Sequence, residues 1–438
     1  MNSPRAADQE QLTEPPVRAP EPGNGLAAAR RDYAALQARG LSLDLTRGKP
    51  SAEQLDLSAP LLSLPGDRYL AADGTDTRNY GGLAGLAELR EIFSGPLQVP
   101  VPQLLAGGNA SLTLMHDCLV HALLGGVPGG DGSWAGPQIR FLCPVPGYDR
   151  HFALLQRFGI SMISVPMTPS GPDLDACERL AAADPAVKGI WCVPKYSNPD
   201  GTVYSGETVR RLAAMPAAAP DFRIFWDNAY AVHDLTDDPP ELADVLAAAA
   251  EAGHPDRPLV FGSTSKVTFA GAGVGFLGAS PANVDWFLGR LGKGSIGPDK
   301  VNHLRHAMFL RDEAGLRAHM RRQRELLAPK FAAVQRILSA ELGGTGLARW
   351  TDPAGGYFIS LEVPDGCARE VVRLAAAAGI ALTPAGATHP GGLDPRDAFI
   401  RIAPTYPPVA DLEQAIAGLA VCVRLAALTA GAAAATGS

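Results

Sequence analysis

The run Leu259-Val260-Phe261-Gly262-Ser263-Thr264-Ser265-Lys266 sets a lysine among small hydroxyl residues at the end of an apolar stretch. The apolar part predicts a buried strand, and the polar part predicts a turn at its carboxyl end. A lysine in such a turn can be partly desolvated. Its pKa then falls, and the amine can act as nucleophile and proton shuttle, holding an aldehyde cofactor as a Schiff base. The hydroxyls and loop amides suit a phosphate. Alone, the signal is modest, because a Ser-rich turn containing a lysine is usually just a solvated loop. Four further elements, in a particular order along the chain, decide between the two.

Arg223 to Trp226 predicts another short buried strand, with Asp227 at its carboxyl end. Ligands of open α/β sheets bind at such ends. A carboxylate there can keep a pyridine nitrogen protonated, or it can simply cap the next helix. Tyr230, three residues on, could donate to a ring phenolate. Gly189 to Val193 predicts a third strand, followed by Asn198 on a turn made rigid by Pro199 and Gly201. Gly107-Gly108-Asn109-Ala110-Ser111 leads into apolar residues at helical spacing. Backbone amides at the positive end of a helix suit a phosphate. Finally, Phe399-Ile400-Arg401-Ile402 buries an arginine in an apolar strand. That is costly unless the charge is paired. A carboxylate of a bound substrate is one partner, and a structural acid is the other. No acid lies close by in this strand, which favours the substrate.

In this order, the elements resemble the fold-type I pyridoxal-phosphate aminotransferases of class I, from about Leu43 to Pro408. The resemblance implies an α/β fold with a mainly parallel seven-stranded large-domain sheet and a smaller α/β domain built from both termini. It adds Gly48, in Thr46-Arg47-Gly48-Lys49-Pro50, beside the substrate carboxylate. It adds Tyr80, in Tyr80-Gly81-Gly82-Leu83, reaching the phosphate of the neighbouring subunit, and Tyr148, stacking on the cofactor ring. It also implies a homodimer with shared active sites.

The wording of Lys195 to Pro199, Gly262 to Val274 and Gly297 to His306 is similar to that of bacterial aspartate aminotransferases of subgroup Ic, relatives of the aminotransferase-like part of MocR-type regulators. One position departs from the family. Most members carry a phosphate-clamping arginine eight residues beyond the lysine, where this chain has Val274. Ser263 and Ser265 can bond a phosphate without neutralising it. Lys300 and Arg305, from either subunit, are the candidate cations. Lys300 is also the candidate for reading a substrate's distal carboxylate, as a point charge without arginine's fork.

Composition sets the frame. At 438 residues the chain exceeds one ordinary core. A net charge of −7 argues against a general nucleic-acid binder. No run reads as a membrane span, so neither nucleic acid nor membrane is an expected partner. Cys118, Cys143, Cys177, Cys192, Cys367 and Cys422 are scattered without a Cys-x-x-Cys, which reads as reduced cytoplasmic thiols. The nine histidines form no metal-ligand cluster, and no metal is expected. His303 and His306 read as a solvated helix face.

The expected organisation is a disordered segment over 1–25, and an N-terminal part of the small domain with its crossover over 26–73. A large cofactor domain follows over 74–311, a C-terminal small domain over 312–428, and a flexible tail over 429–438. The resemblance implies that Lys266 holds pyridoxal phosphate and moves the substrate proton. Asp227 would keep the pyridine nitrogen protonated, and Asn198 and Tyr230 would tune the phenolate. Asn109, Ala110, Ser111, Ser263, Ser265 and the neighbour's Tyr80 would hold the phosphate. Arg401, with Gly48 and Asn198, would bind the α-carboxylate. The implied reaction moves an amino group from aspartate or glutamate to 2-oxoglutarate or oxaloacetate. Aromatic, aminoadipate or alanine donors are the alternative. A non-catalytic effector-binding module is a third reading, disfavoured because only about forty residues precede Leu41, too few and too Pro-rich for a helix-turn-helix domain.

Overall fold

The computed structural model describes residues 17, 25–136 and 138–436. The segment expected to be disordered therefore lies almost wholly outside the described residues. A two-residue strand, β1 (Leu43–Asp44), stands apart from the main sheet. That sheet contains β2 (Leu104–Ala106), β3 (Arg140–Val145), β4 (Ser161–Thr168), β5 (Gly171–Pro172), β6 (Val187–Cys192), β7 (Arg223–Asp227), β8 (Pro258–Ser263) and β9 (Gly275–Ala279). Its strand order is β2-β9-β8-β7-β6-β3-β4-β5. The seven expected strands are present. The eighth, β5, is a two-residue return that pairs antiparallel with the end of β4.

The sheet is mainly parallel because helices cross over between β3, β4, β6, β7 and β8. Only β9 and the short β5 run against the rest. Both faces are covered, so the central strands are apolar throughout instead of alternating with polar residues. Successive side chains still point to opposite faces. Leu142, Ile190, Ile224, Trp226 and Val260 enter one core. Phe141, Trp191, Phe225, Leu259 and Phe261 enter the other.

The smaller domain is built from both ends of the chain. β10 (Arg349–Trp350), β11 (Ile359–Glu362) and, after β12 (Ile380–Ala381), β13 (Phe399–Ile402) supply its strands. β10, β11 and β13 form an antiparallel sheet, while β12 pairs in parallel with the N-terminal β1. Helix Gly25–Ala38 lies against helix Val409–Thr436. Their close approach needs Gly418, where a Cβ would come within 2.5 Å of Ile380 Cδ1 and 3.0 Å of Leu36 Cδ1.

Three expectations change. The boundary near 312 falls at the start of one helix, Glu313–Leu342, which does not stay within the small domain. Leu316 and Met320 pack into the large-domain core. Phe331, Val334 and Leu338 pack into the small-domain core, so the helix belongs to both. The tail beyond 428 is helical to Thr436, because its alanines extend the preceding helix and have high helix propensity. That same helix is, by length and composition, apolar enough to cross a membrane. It is a core helix here: Leu412, Ile416, Leu419 and Val423 are buried in the small domain.

Candidate active site

The parallel topology brings the key turns to one edge of the sheet. Asp227 ends β7, Ser263 ends β8, and the Asn198 and Tyr148 turns follow β6 and β3. Arg401 arrives from β13 of the small domain. Residues far apart in sequence therefore meet in a cleft between the two domains.

Lys266 opens onto this cleft beside two aromatic rings. Its Nζ lies 5.0 Å from the ring centre of Tyr230 and 5.7 Å from that of Tyr357. Its carbonyl accepts from the Tyr357 hydroxyl at 3.4 Å and lies 3.3 Å from His233 Nε2. Burial lowers the lysine pKa, Asp227 pulls it back up, and Arg401 lowers it further. The net result favours a neutral amine more than water would. Burial raises the Tyr230 phenol well above its ordinary value, so it remains a hydrogen-bond donor.

Asp227 is buried, and its Oδ2 lies 3.0 Å from His151 Nε2. Its Oδ1 is buried without a partner. A buried carboxylate oxygen left unpaired is costly unless a donor completes it. His151 is itself fixed by stacking on Trp191, with ring centres 4.2 Å apart and 11° between the planes. The Tyr148 ring meets His151 edge-on at 5.0 Å. Burial, helped by Asp227 and Asp149, pushes the Tyr148 phenol up to about 12.

A second group of residues forms a cradle. Ser263 Oγ and Ser265 Oγ are 2.6 Å apart, and Ser265 N–H donates to Ser263 Oγ at 3.0 Å. Asn109 Oδ1 accepts from Gly273 N–H at 2.7 Å, which locks the glycine loop onto the segment after Lys266. Gly275 makes this contact possible, since a Cβ there would lie 2.7 Å from the Ala110 carbonyl carbon. Helix Ser111–Gly125 starts at Ala110 with no side-chain cap, leaving its first amides to other acceptors.

These features fit pyridoxal phosphate. The uncapped helix start and the serine pair would hold the phosphate. The orphaned Asp227 Oδ1 would accept from a protonated ring nitrogen, and Asn198 and Tyr230 would serve the ring oxygen. Asn198 is buried and close to Arg401, whose Nη1 approaches Asn198 Oδ1 at 3.4 Å. The Arg401 guanidinium sits 4.9 Å from the centre of the Phe358 ring. Gly48 packs against the tip of that ring, where a Cβ would fall 2.2 Å from Phe358 Cζ. Gly48 is thus joined to the Arg401 site through Phe358.

Several expectations are revised. An acid does reach Arg401: Asp149 Oδ1, from the start of helix Asp149–Arg157, pairs with Nη1 at 2.9 Å. Lys300 is buried, and its Nζ donates to the carbonyls of Asn79 at 2.7 Å and Gly81 at 2.6 Å. The amine is thus engaged within its own chain with the loop that carries Tyr80, away from any distal-carboxylate or phosphate role there. Arg305 Nε donates to Leu64 O at 2.7 Å. Within this chain, both cations are thus bonded to backbone carbonyls. Val274 itself is buried, with its N–H donating to Thr264 Oγ1. His303 and His306 are buried as well, not on a solvated face. His303 Nε2 lies 2.8 Å from Gly107 O, and His306 Nε2 lies 2.9 Å from Thr268 Oγ1. Asn302 Nδ2 donates to the carbonyls of Ala272 and Gly273. Helix Lys300–Leu310 therefore supports the glycine loop and the segment after Lys266. Tyr80 is 81% exposed, projecting from this chain. Among the described residues no group of His, Cys, Asp and Glu could hold a metal.

His151, Asp149, Asn302 and Tyr357 have no role in the sequence reading. His151 and Asp149 are neighbours of Tyr148, but nothing in the sequence ties them to Asp227 or Arg401.

The fold and cleft have the parts of a pyridoxal-phosphate enzyme that handles an amino acid. A family model described as aspartate amino-transferase matches residues 21–434, and the chain belongs to that family. A Mycolicibacterium smegmatis protein, provisionally named an aminotransferase, is 59% identical over 402 residues, covering 91% of this chain and 94% of its own. The crystal structure of an aspartate transaminase from Corynebacterium glutamicum superposes with a TM-score of 0.91 at 50% identity, over 92% of this chain and 96% of that one. An α-aminoadipate aminotransferase from Thermus thermophilus, complexed with N-(5'-phosphopyridoxyl)-L-leucine, shares the fold with a TM-score of 0.71 at 21% identity, over 93% of this chain and 98% of that one.

Proposed function

We propose that this aminotransferase takes its amino group from aspartate or glutamate and passes it to 2-oxoglutarate or oxaloacetate, as a homodimer in the cytoplasm. The carrying observation is the convergence of Lys266, the half-satisfied Asp227 and the buried Arg401 in one cleft. Pyridoxal phosphate, when bound, supplies an electron sink for the charge left at the substrate α-carbon. The chain's own residues do the rest. Arg401 holds the α-carboxylate, with Asn198 beside it, and so fixes which α-carbon bond faces Lys266. The Lys266 amine, made less basic by burial, is the group placed to take the proton from the substrate α-carbon. Tyr230 and Tyr357 wall the amine and limit the paths its proton can take. Asp227, braced by His151, keeps its charge aimed at the ring nitrogen. Tyr80 of the partner subunit would complete the phosphate cradle.

The preference for dicarboxylates draws support from the Corynebacterium relative named aspartate aminotransferase, 50% identical over 400 residues. The test is half-transamination. The cofactor spectrum is followed as single amino acids are added to the purified enzyme. Aspartate or glutamate should convert it far faster than alanine, phenylalanine or 2-aminoadipate; faster conversion by one of the latter would reassign the substrate. Borohydride reduction should attach the cofactor to Lys266. Label on Lys195 or Lys300 would remove Lys266 from its role.

A further inference from the structure

Arg401 does not stand ready with empty hands. Its one short, charge-assisted bond goes to Asp149 Oδ1, 2.9 Å from Nη1. Its other contacts are long: Nη1 to Asn198 Oδ1 and Nη2 to Thr383 Oγ1, both 3.4 Å. Nε is buried with no partner. The two side chains of the ion pair are unequal: Arg401 is 9% exposed and Asp149 34%. The pair also bridges the domains. Asp149 begins the helix after β3 in the large domain, directly behind Tyr148, and Arg401 lies in β13 of the small domain.

We propose that Asp149 is an internal stand-in for the substrate's α-carboxylate. It occupies Arg401 while the site is empty and is exchanged when an amino or oxo acid arrives. This rests on the reading of Arg401 as the α-carboxylate anchor. The physical reasoning is direct. A buried guanidinium without a counter-charge is strongly unfavourable. Between turnovers, substrate is absent and Asp149 supplies the charge. The incoming carboxylate can offer two oxygens to the Nη1–Nη2 fork, so it binds Arg401 better than the single Asp149 oxygen on Nη1 does. Asp149 is the partner that can leave, because it is one-third exposed and regains water cheaply. The exchange neither makes nor breaks a covalent bond and moves no proton. It swaps one carboxylate for another on the same cation. The cost is lower apparent affinity, since every ligand must displace Asp149. The gain is selection: an amine without a carboxylate cannot make the exchange and leaves Arg401 paired to Asp149.

Succinate, which cannot react, is the probe, titrated calorimetrically into the holoenzyme of wild type, Asp149→Asn, Asp149→Ala and Arg401→Lys. Both Asp149 variants should bind succinate about 3- to 10-fold more tightly, the worth of a partly exposed ion pair. Their KM for the amino donor should fall in step. Asn keeps the shape and one acceptor, so it separates loss of charge from loss of packing. Unchanged or weaker succinate binding in both variants overturns the proposal and makes Asp149 a brace for Arg401. Arg401→Lys should bind succinate much more weakly. If it does not, the anchor reading fails and the proposal fails with it. If it does while the Asp149 variants match wild type, only the proposal fails.

Discussion

His151 Nε2 lies 3.0 Å from one oxygen of Asp227, while the other oxygen of Asp227 is buried without a partner. The first contact orients the carboxylate, and the second oxygen is left for a ligand. Asp227→Asn keeps the shape and removes the charge, so cofactor affinity should fall about 10- to 100-fold, the worth of one charged hydrogen bond. His151→Phe should keep the stack on Trp191 while freeing Asp227 to rotate. It should lower kcat/KM by less, about 10-fold. Equilibrium dialysis of the apoenzyme against pyridoxal phosphate, with steady-state rates, measures both. A larger loss in His151→Phe than in Asp227→Asn would show that the histidine acts on more than the carboxylate.

Lys300 gives a second test. Two carbonyls of the Tyr80 loop, those of Asn79 and Gly81, accept from its amine, in a cleft of ≈ 580 Å³ lined by 77–80 and 297–301. Lys300→Met leaves those carbonyls without their donor and loosens the loop. Rates with aspartate and alanine should fall by the same factor, and cofactor affinity should weaken about 10-fold. A selective loss of aspartate activity, with cofactor affinity intact, would instead return Lys300 to the distal carboxylate.

Much of this candidate site was legible because Lys266, Asp227, Asn198 and Tyr148 each stand at or just beyond the end of an apolar run. Leu259-Val260-Phe261 before Lys266, and Ile224-Phe225-Trp226 before Asp227, mark strand ends without any structure. What could not be read is pairing across the fold. Asp149 and Arg401 are 252 positions apart, and His151 and Asp227 are 76 apart. No local pattern encodes those meetings; the sheet order and the domain packing do. The same holds for His303 and His306, which read as a solvated face, and for Lys300, which reads as a cation for a phosphate or a distal carboxylate. Each is held in the interior by a backbone carbonyl or hydroxyl of a neighbouring loop. The helix after Val409 misled in the opposite way. Its last alanines looked like a loose tail, whereas they continue the helix, whose close approach to helix Gly25–Ala38 is made earlier, at Gly418.

Two buried histidines, His233 and His303, should make the fold sensitive to acid. Burial, with Lys266 adding to it, pulls His233 down to about 3, and burial pulls His303 down to about 4. In the unfolded chain both titrate near the ordinary value of about 6.5. Between about 4 and 6.5 the unfolded state therefore binds more protons than the folded state, so stability rises with pH there and is lost as pH falls. Each histidine contributes at most about 1.4 kcal/mol per pH unit in that window. Urea melts at pH 7, 6 and 5 should show the decline, and it should be shallower in a His233→Gln, His303→Gln double variant. An equal slope in the double variant would assign the acid sensitivity to carboxylates instead.

Tyr80 carries the last test, because its ring is 81% exposed on a loop that Lys300 fixes from beneath. A large aromatic held outward from a rigid loop is suited to a neighbouring chain. If each active site uses Tyr80 from the partner, Lys266→Ala and Tyr80→Ala homodimers should both be weak, for different reasons. The first lacks its proton carrier in both sites. The second lacks a phosphate contact in both. In a mixed dimer, one site gathers both defects and the other gathers neither. Mixing the two variants through a mild unfolding and refolding step should therefore recover about a quarter of wild-type activity. That value follows from random pairing, in which half the dimers are hybrids with one intact site each. Tagging the two chains differently and purifying the doubly tagged species should raise the yield to about half of wild type per dimer. Hybrids that form and remain as inactive as their parents would place Tyr80 in the service of its own chain.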